Sequence, residues 1–388
     1  MDVLAITPFP VFPATHGGRV RTQRLATGLA RAGARVDVLF PWTPGRPLRA
    51  FCQDGVTYRS HRLPASVLPA LVGDRWVSPL VALSFQPYAL GPRRLLERLL
   101  RHDVVQFHFC ASASWMERLA GRVPRVYVAH NVEVDYLAEQ GSSAARAGPA
   151  VRRLASLERR AVAASDLVVA CSDADAGRLR ELYGRATRIE VLPQAAEPGG
   201  EPDRAAARDR FGIDDDELAI VFVGGPATHN RAAAALLERE ILPRLRRPAR
   251  LLLAGRCAGP MPPTGDPRVL RLGYVEDLRP AFAAADVAVN PTGHGTGASV
   301  KMAEFLAAGL PVVTSAAGMR GFEAYADRMT LAEPDALAAV LESLELTAAR
   351  TPVEELGVER IGARLLAAYE ELTSRTRGRS TTIVPSAP

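Results

Sequence analysis

The chain has 388 residues, of which 48% are hydrophobic and 23% charged, and its formal net charge is +6. This length predicts two domains with cores of ordinary size, and no apolar run approaches the roughly 20 residues needed to cross a bilayer. Aromatic residues make up only 6% and are not interleaved with arginine, which argues against a nucleic-acid-binding surface.

The amino terminus and the cysteines predict a cytoplasmic protein. Residues 1–6 form a strand pattern without a charged leader, so we expect no secretion signal. The four cysteines have no metal-type spacing, which favours reduced thiols. The basic, largely helical run 146–160 leaves weak contact with anionic lipid at the inner membrane face open, although the same residues also serve solubility.

In the first half, strand-like and helix-like segments alternate, which predicts a parallel sheet. The predicted strands are 3–7, 35–40, 56–63, 104–109, 125–129, 167–170 and 188–192. The predicted helices are 19–32, 93–101, 112–119, 145–164 and 174–183. The segment 194–202 is rich in proline, glycine and small residues, and we interpret it as a linker between two halves.

In the second half, predicted strands begin at Leu218, Arg250, Val269, Asp286 and Pro311. The only lysine of the chain, Lys301, follows the fourth of these strands, whereas the other 47 of the 48 basic side chains are arginine. It lies in the sequence GHGTGASVKMAE, whose glycine-rich part follows the apolar run 286–290 and leads into a helical segment 299–308 that contains Lys301. This strand–loop–helix pattern places the loop at the carboxyl end of a parallel strand, where open sheets bind ligands.

The chemistry of this loop suits a phosphate group. Glycines let the backbone approach an anion, and the free amides at the helix start attract it. Lysine is a compact point charge that can enter a tight loop. Glu304 lies on the same helical face, where a carboxylate suits the hydroxyls of a ribose. The alternative is an exposed Lys301–Glu304 pair, which would contribute only about a few tenths of a kcal/mol.

This segment resembles the donor-binding signature of retaining GT-B glycosyltransferases, especially glycosyltransferase family 4. The resemblance assigns the glutamate of the helix to the donor nucleotide and the preceding loop to its diphosphate and sugar. Many members carry two glutamates seven residues apart; Glu304 matches the second, but Thr296 replaces the first. The loop has the form Gly-Thr-Gly-x-x-x-Lys, and the resemblance implies that its lysine, Lys301, takes part in binding the diphosphate. At the linker, Gln194 and Ala195 replace the usual Asn-Gly.

The resemblance implies an α/β protein of the GT-B class, with two Rossmann-like parallel-sheet domains facing across a cleft. The expected boundaries are an acceptor-side domain 1–195, a nucleotide-sugar domain 196–354, a helix 355–373 that crosses back to the first domain, and a disordered tail 374–388.

On the donor side, the resemblance implies contacts from both domains. His294 in the donor loop is a further residue that could reach the sugar. For His294, and for the candidates at 224, 231 and 274–275 of the second half, the alternative is an ordinary loop residue. The predicted donor ligands are Gly17, Gly18, Gly224, Arg231, Tyr274, Val275, Gly295, Thr296, Gly297, Ala298, Ser299, Lys301 and Glu304.

On the acceptor side, the candidates follow strands of the first domain. His108 ends a strand led by Asp103, which matches the spacing of an active-site histidine in this family; with Lys301 and Glu304 it is predicted to act in catalysis. The glycine-rich loop before residue 19 is predicted to face the diphosphate and acceptor, with Arg19 or Arg21 holding an anion. The predicted acceptor residues are His16, Arg19, His130, Asn131 and Glu133; for Glu133 and Asp135 a helix-capping role is equally plausible.

The function implied is a retaining glycosyltransferase that uses a UDP- or GDP-sugar as donor and a hydroxyl acceptor. No Asp-x-Asp pair stands where a diphosphate would bind, so we expect cationic side chains in place of a metal, and no cofactor. Two alternatives remain: a nucleotide-sugar 2-epimerase of the same fold, and a non-catalytic GT-B subunit that assists another transferase. No nucleic-acid partner is expected.

Overall fold

The structure is a computed structural model that describes residues 1–14, 16–41, 50–61, 97, 99–140, 149–184, 188–197, 203–259, 261–294, 297–345 and 350–380. The chain divides into two compact units. Unit 1 comprises Met1–Pro193 and Val358–Pro388, and unit 2 comprises Gln194–Gly357. The predicted helix 93–101 and the linker segment 198–202 lie largely or wholly outside the described residues.

The strands of the described chain are numbered β1 to β14. They are β1 Asp2–Ile6, β2 Arg35–Pro41, β3 Ala50–Gln53, β4 Val56–His61, β5 Val104–His108, β6 Arg125–Val128, β7 Leu167–Ala170, β8 Ile189–Val191, β9 Leu218–Val223, β10 Ala249–Ala254, β11 Val269–Gly273, β12 Val287–Asn290, β13 Val312–Thr314 and β14 Met329–Leu331.

The α-helices are numbered in the same way. They are α1 Gly17–Arg31, α2 Ala113–Arg118, α3 Glu133–Gln140, α4 Pro149–Ala163, α5 Asp173–Tyr183, α6 Arg204–Phe211, α7 Thr228–Leu236, α8 Arg279–Ala284, α9 Val300–Ala307, α10 Ala316–Met319, α11 Leu337–Ser343 and α12 Val358–Ser380.

Both units contain the predicted parallel sheet. In unit 1 the strand order is β3-β4-β2-β1-β5-β6-β7-β8, and only β3 pairs antiparallel. In unit 2 the order is β11-β10-β9-β12-β13-β14, with all pairs parallel. The central strands β1, β5 and β12 are almost wholly buried because helices cover parallel sheets on both faces. Polar residues at the carboxyl ends of these strands are therefore held on a rigid frame.

The last helix belongs to unit 1, where it packs along α1. Two glycines allow the close crossing: a Cβ placed on Gly28 would stand 2.5 Å from the carbonyl oxygen of Val358 and 2.9 Å from Cα of Gly362. Leu365 and Tyr369 are fully buried on the same helix. The crossing thus depends on two residues without side chains.

The disordered tail predicted from residue 374 is corrected by the structure, because α12 continues to Ser380. The hydroxyls of Ser374 and Thr376 donate to carbonyls one turn back, at 2.8 and 2.9 Å, so these residues satisfy their polar groups within the helix. Arg375 and Glu371 form an ion pair at i, i+4. Polar composition alone suggested disorder, whereas local pairing extends the helix. Residues 381–388 lie outside the described part of the chain.

The described helices include none that is long and apolar enough to span a bilayer. All four cysteines are free thiols, and three of them are buried: Cys110, Cys171 and Cys257.

Candidate functional site

The ammonium of Lys301 points into unit 2. Its Nζ donates to Oδ1 of Asn230 at 2.7 Å and to Oδ1 of Asn290 at 3.2 Å. It also lies 4.4 Å from the centre of the Phe222 ring, a cation–π distance. The only lysine of the chain therefore meets two of its three asparagines. The exposed Lys301–Glu304 pair considered above does not describe this arrangement.

The two asparagines belong to buried frameworks. Asn290 ends β12, and its amide donates to the carbonyl of Gly318 at 3.0 Å. Its Oδ1 also accepts from the hydroxyl of Thr292 at 3.2 Å. Asn230 lies in the first turn of α7 and is 8% exposed. The two amide oxygens orient the ammonium, which has three N–H donors and uses two of them in these bonds. One donor is left for a ligand among the described contacts.

Two helices begin beside this ammonium. Helix α7 starts two residues before Asn230 and helix α9 starts one residue before Lys301. Neither start is capped by the side chain of its N-cap residue, which is Ala227 for α7 and Ser299 for α9. The first amides of both helices are therefore open to an anion, and the helix dipoles add partial positive charge.

Glycine is required where β9 ends. A Cβ on Gly224 would stand 2.9 Å from Cβ of Cys257 and 3.0 Å from Cβ of Asn230. A side chain at this predicted donor residue would therefore crowd both Cys257 and Asn230. Arg231, the next residue of α7 after Asn230, is exposed.

Burial shapes the protonation of this site. It lowers the pKa of Lys301 to about 7, while the nearby Cys257 and Glu304 act in the opposite direction. His229 was not among the predicted ligands, yet its ring stands 6.0 Å from the exposed ring of His294. Burial, together with the charges of Lys301 and His294, lowers the pKa of His229 to about 4. At neutral pH His229 is an uncharged imidazole, and the pKa of Lys301 lies far below that of an exposed lysine.

A hydrogen bond from the first residue of unit 2, Gln194, holds the donor loop. Gln194, which is 4% exposed, donates through Nε2 to the carbonyl of Ala298 at 3.0 Å. Gly297, just before, has a φ of +68°, which favours glycine. From the sequence, Gln194 was recognised only as a replacement of the usual asparagine at the linker, and no pattern indicated its contact with Ala298. Gly295 and Thr296 lie outside the described residues, while Ser299 and Glu304 are half-buried at the start of α9 and within it.

The predicted base-contacting segment follows β11. Tyr274 is 52% exposed, and the Arg256 guanidinium lies 5.8 Å from the centre of its ring. Val275 beside it is half-buried. An exposed aromatic face next to an arginine can stack on a planar base.

In unit 1 the predicted catalytic residue His108 is wholly buried at the end of β5. Its Nδ1 contacts Nε2 of His130 at 2.9 Å and the Thr22 hydroxyl at 3.2 Å, and its Nε2 contacts the Gln106 amide at 3.1 Å. Both ring nitrogens are thus engaged within the protein. The catalytic role predicted for His108 therefore stays a prediction, and its ring can take part directly only by exchanging one of these protein partners for substrate.

His130 and Asn131 follow β6. His130 is 5% exposed and stacks on Phe109, with ring centres 4.2 Å apart and an interplanar angle of 15°. Phe109 has a φ of +69°, which is strained for a bulky residue, and such strain gathers at functional sites. Asn131 is half-buried.

The predicted acceptor carboxylate Glu133 is 8% exposed at the start of α3, and burial, with Glu158 nearby, raises its pKa well above the usual range. Neither carboxylate considered for capping fills that role. Instead, Glu158 of α4 accepts from the backbone N–H groups of Glu133 at 2.8 Å and Val134 at 3.4 Å. Asp135 is paired with Arg178. Glu158 lies 25 residues away in sequence, which is why local capping patterns did not find it.

The glycine-rich loop leads into α1. A Cβ on Gly18 would stand 3.2 Å from the Phe109 ring and 3.3 Å from the Phe9 ring, so the loop packs on these aromatics. His16 and Gly17 are exposed, and Arg19 donates to the carbonyl of Pro13 at 3.0 Å. Arg21 is 1% exposed and donates to the carbonyls of Leu192 and Pro193. The alternative of Arg21 as the anion ligand is therefore wrong: it ties α1 to the end of the first half.

The described residues contain no group of three or more histidine, cysteine, aspartate or glutamate side chains that could hold a metal ion.

Comparison with family models gives a match to each half of the chain. Residues 15–198 match the model described as Glycosyltransferase Family 4. Residues 217–345 match the model described as Glycosyl transferases group 1.

Curated relatives point the same way. A D-inositol 3-phosphate glycosyltransferase of Geodermatophilus obscurus is 32% identical over 251 residues, which is 56% of this chain and 52% of the relative. The chain thus spans about half the length of that relative. The enzyme of the same name from Kineococcus radiotolerans is 28% identical over 330 residues, covering 78% of this chain and 73% of the relative.

Solved structures show the same fold. Sucrose-phosphate synthase of Thermosynechococcus elongatus superposes with a TM-score of 0.65 at 19% identity, covering 99% of both chains. WaaG, a glycosyltransferase involved in lipopolysaccharide biosynthesis, gives 0.62 at 18% identity over the full length of both. Anabaena HepE, solved in complex with UDP and glucose, gives 0.60 at 15% identity, covering 99% of this chain and 100% of that one.

Proposed function

This chain belongs to the family 4-like glycosyltransferases of the GT-B fold, and we propose that it transfers a sugar from a UDP- or GDP-sugar to a hydroxyl acceptor. The proposal includes retention of the anomeric configuration and independence from metal ions. The observation that carries it is the ammonium of Lys301, aimed by Asn230 and Asn290 between two uncapped helix starts.

The reaction breaks the bond between the anomeric carbon and the diphosphate oxygen. Negative charge develops on the departing diphosphate, and fixed charges and dipoles aimed at that charge lower the barrier. In unit 2, Lys301 and the amides of α7 and α9 supply them, with Arg231 available at the surface. Glu304 would bind the ribose hydroxyls and Tyr274 the base. Cationic side chains here take the role that a divalent metal has in other nucleotide-sugar sites.

For the acceptor we propose a polyol phosphate such as D-inositol 3-phosphate, the compound in the names of the relatives above. His130 and Asn131, at the end of β6, and Arg19, at the start of α1, would form its site in unit 1.

The proposed function predicts a specific donor reaction. Incubation with a panel of UDP- and GDP-sugars, with EDTA present, should release nucleoside diphosphate from one donor. Adding D-inositol 3-phosphate should speed that release and form a glycoside with the donor's anomeric configuration, which NMR of the product identifies. A sugar epimerised at C2 would instead favour the 2-epimerase. Absence of both reaction and nucleotide binding would favour the auxiliary subunit and reject the transferase.

Binding of UDP should weaken as pH rises above 7. Burial holds the pKa of Lys301 near 7 in the free protein, and a bound diphosphate raises it because the anion favours the charged ammonium. The stabilisation by this charge is therefore fully present below pH 7 and is lost at higher pH. We expect affinity to fall about fivefold between pH 7 and pH 8 in calorimetric titrations. Lys301→Arg, whose guanidinium stays charged, should remove this pH dependence. If UDP affinity depends on pH in the same way in wild type and in Lys301→Arg, a group other than Lys301 causes the dependence.

A further inference from the structure

Four buried side chains of unit 1 form a continuous hydrogen-bonded row that ends at His130. The Tyr369 hydroxyl donates to Oε1 of Gln106 at 2.6 Å. Nε2 of Gln106 contacts Nε2 of His108 at 3.1 Å, and Nδ1 of His108 contacts Nε2 of His130 at 2.9 Å. Tyr369, Gln106 and His108 are each 0% exposed, so water does not compete for these bonds.

Tyr369 sets the direction of the row. Its hydroxyl donates to Oε1 of Gln106, and a reversed amide would leave this buried O–H without the acceptor that the structure describes. The NH2 of Gln106 therefore faces His108 and donates to Nε2. A ring nitrogen that accepts carries no proton, so the neutral imidazole of His108 has its proton on Nδ1.

Thr22 fits the same tautomer but does not impose it, because a hydroxyl can turn and donate to Nδ1 instead. When its hydroxyl donates its single proton to the carbonyl of Gly18, at 2.9 Å, the 3.2 Å contact with His108 has Nδ1 as the donor, because two acceptors would repel each other. The N–H on Nδ1 of His108 also points to Nε2 of His130. Both ends of the His108 ring are thus compatible with one tautomer.

The tautomer of His130 follows from that of His108. Because Nε2 of His130 accepts, its proton lies on Nδ1. This Nδ1 is buried and has no hydrogen-bond partner among the residues that the structure describes. The stacked ring of Phe109 fixes the plane of the imidazole. Burial lowers the pKa of His108 to about 3 and that of His130 well below its usual value, so both rings are neutral at physiological pH.

We propose that Tyr369, Gln106 and His108 are positioning residues that hold the proton of His130 on Nδ1, and that this N–H binds an oxygen of the substrate. A buried donor without an acceptor is costly in the free protein, and a substrate oxygen removes that cost. His130, rather than His108, is then the imidazole that unit 1 offers to the reaction. The substrate contact rests on the proposed function, whereas the tautomer does not.

The test combines NMR with kinetics on the full chain. In protein labelled with 15N-histidine, protonated and unprotonated ring nitrogens have well-separated shifts, and the His130 signals are assigned by their loss in His130→Gln. Wild type should show the proton on Nδ1 of His130. In Tyr369→Phe the amide of Gln106 is free to turn over, so the two 15N shifts should move toward each other. Release of nucleoside diphosphate should fall about tenfold in kcat, with the KM for the donor unchanged.

Tyr58→Phe is the matched control. It removes another buried tyrosine hydroxyl of unit 1, one bonded to Thr27, and should leave both the His130 shifts and kcat unchanged. A proton on Nε2 of His130 in wild type, or shifts that do not respond to Tyr369→Phe, would overturn the positioning row. Altered shifts with unchanged kcat would overturn the substrate contact. If wild type acts on no donor, the proposed function and the substrate contact fail together. The NMR result alone then shows whether the hydrogen-bonded row sets the tautomer of His130.

Discussion

Replacing Lys301 with alanine is expected to weaken the binding of UDP by about tenfold or more. Hydrogen bonds that involve a charged group contribute about 1.5–3 kcal/mol, and Asn230 and Asn290 hold this ammonium at the starts of α7 and α9. The loss should exceed that of an ordinary surface charge because Asn230 and Asn290 hold the ammonium in place and burial shields it from salt. Calorimetric titration with UDP measures the change directly.

The control is Arg239→Ala, which removes one exposed positive charge from the same unit. Its affinity for UDP should match that of wild type. If Lys301→Ala binds UDP as tightly as the control, the diphosphate does not meet this ammonium, and the donor site of the proposed function is wrong. Circular dichroism of both variants shows whether unit 2 remains folded, since the cation–π contact with Phe222 is lost as well.

Replacing Gly362 with valine should lower the free energy of unfolding of unit 1 by about 3 kcal/mol. A side chain here would overlap the backbone of Gly28, and rigid backbone atoms of α1 cannot turn aside as a side chain would. All three tryptophans lie before residue 194, so tryptophan fluorescence during guanidinium denaturation reports unit 1 selectively. A shift of the midpoint to lower denaturant is the expected result.

Gly177→Ala provides the contrast. Gly177 lies in α5 of the same unit, and a Cβ there meets nothing within 4 Å. Alanine should stabilise that helix by about 0.5–1 kcal/mol. If Gly362→Val unfolds at the wild-type midpoint, the two helices do not need their close crossing.

The position of Lys301 in the fold could be predicted from the sequence because its signal is local. A strand, a glycine loop and a helix start lie within about twenty residues, and their order fixes the place of Lys301 at the strand's carboxyl end. What the sequence could not show was which groups aim the ammonium. Asn230 lies 71 residues before Lys301, and only the register of β9 beside β12 brings them together.

The acceptor side was harder because its contacts cross the whole chain. Tyr369 and Gln106 are 263 residues apart, and neither has a sequence pattern that marks it as part of a site. The same holds for Arg21, whose charge suggested an anion ligand although its buried guanidinium binds two carbonyls about 170 positions away. Strand spacing located His108 correctly at the end of β5 but could not reveal that its ring is enclosed.

Helix α12 also sets the order in which this protein can mature on the ribosome. Unit 2 is continuous in sequence, so it can fold as soon as Gly357 has emerged. Unit 1 begins first but finishes last, because the partner of Gly28 and the hydroxyl that orients Gln106 are synthesised more than 300 residues after α1 begins. Until α12 has been synthesised, Gly28 lacks its packing partner, so unit 1 can complete its packing only after the whole of unit 2 has been made.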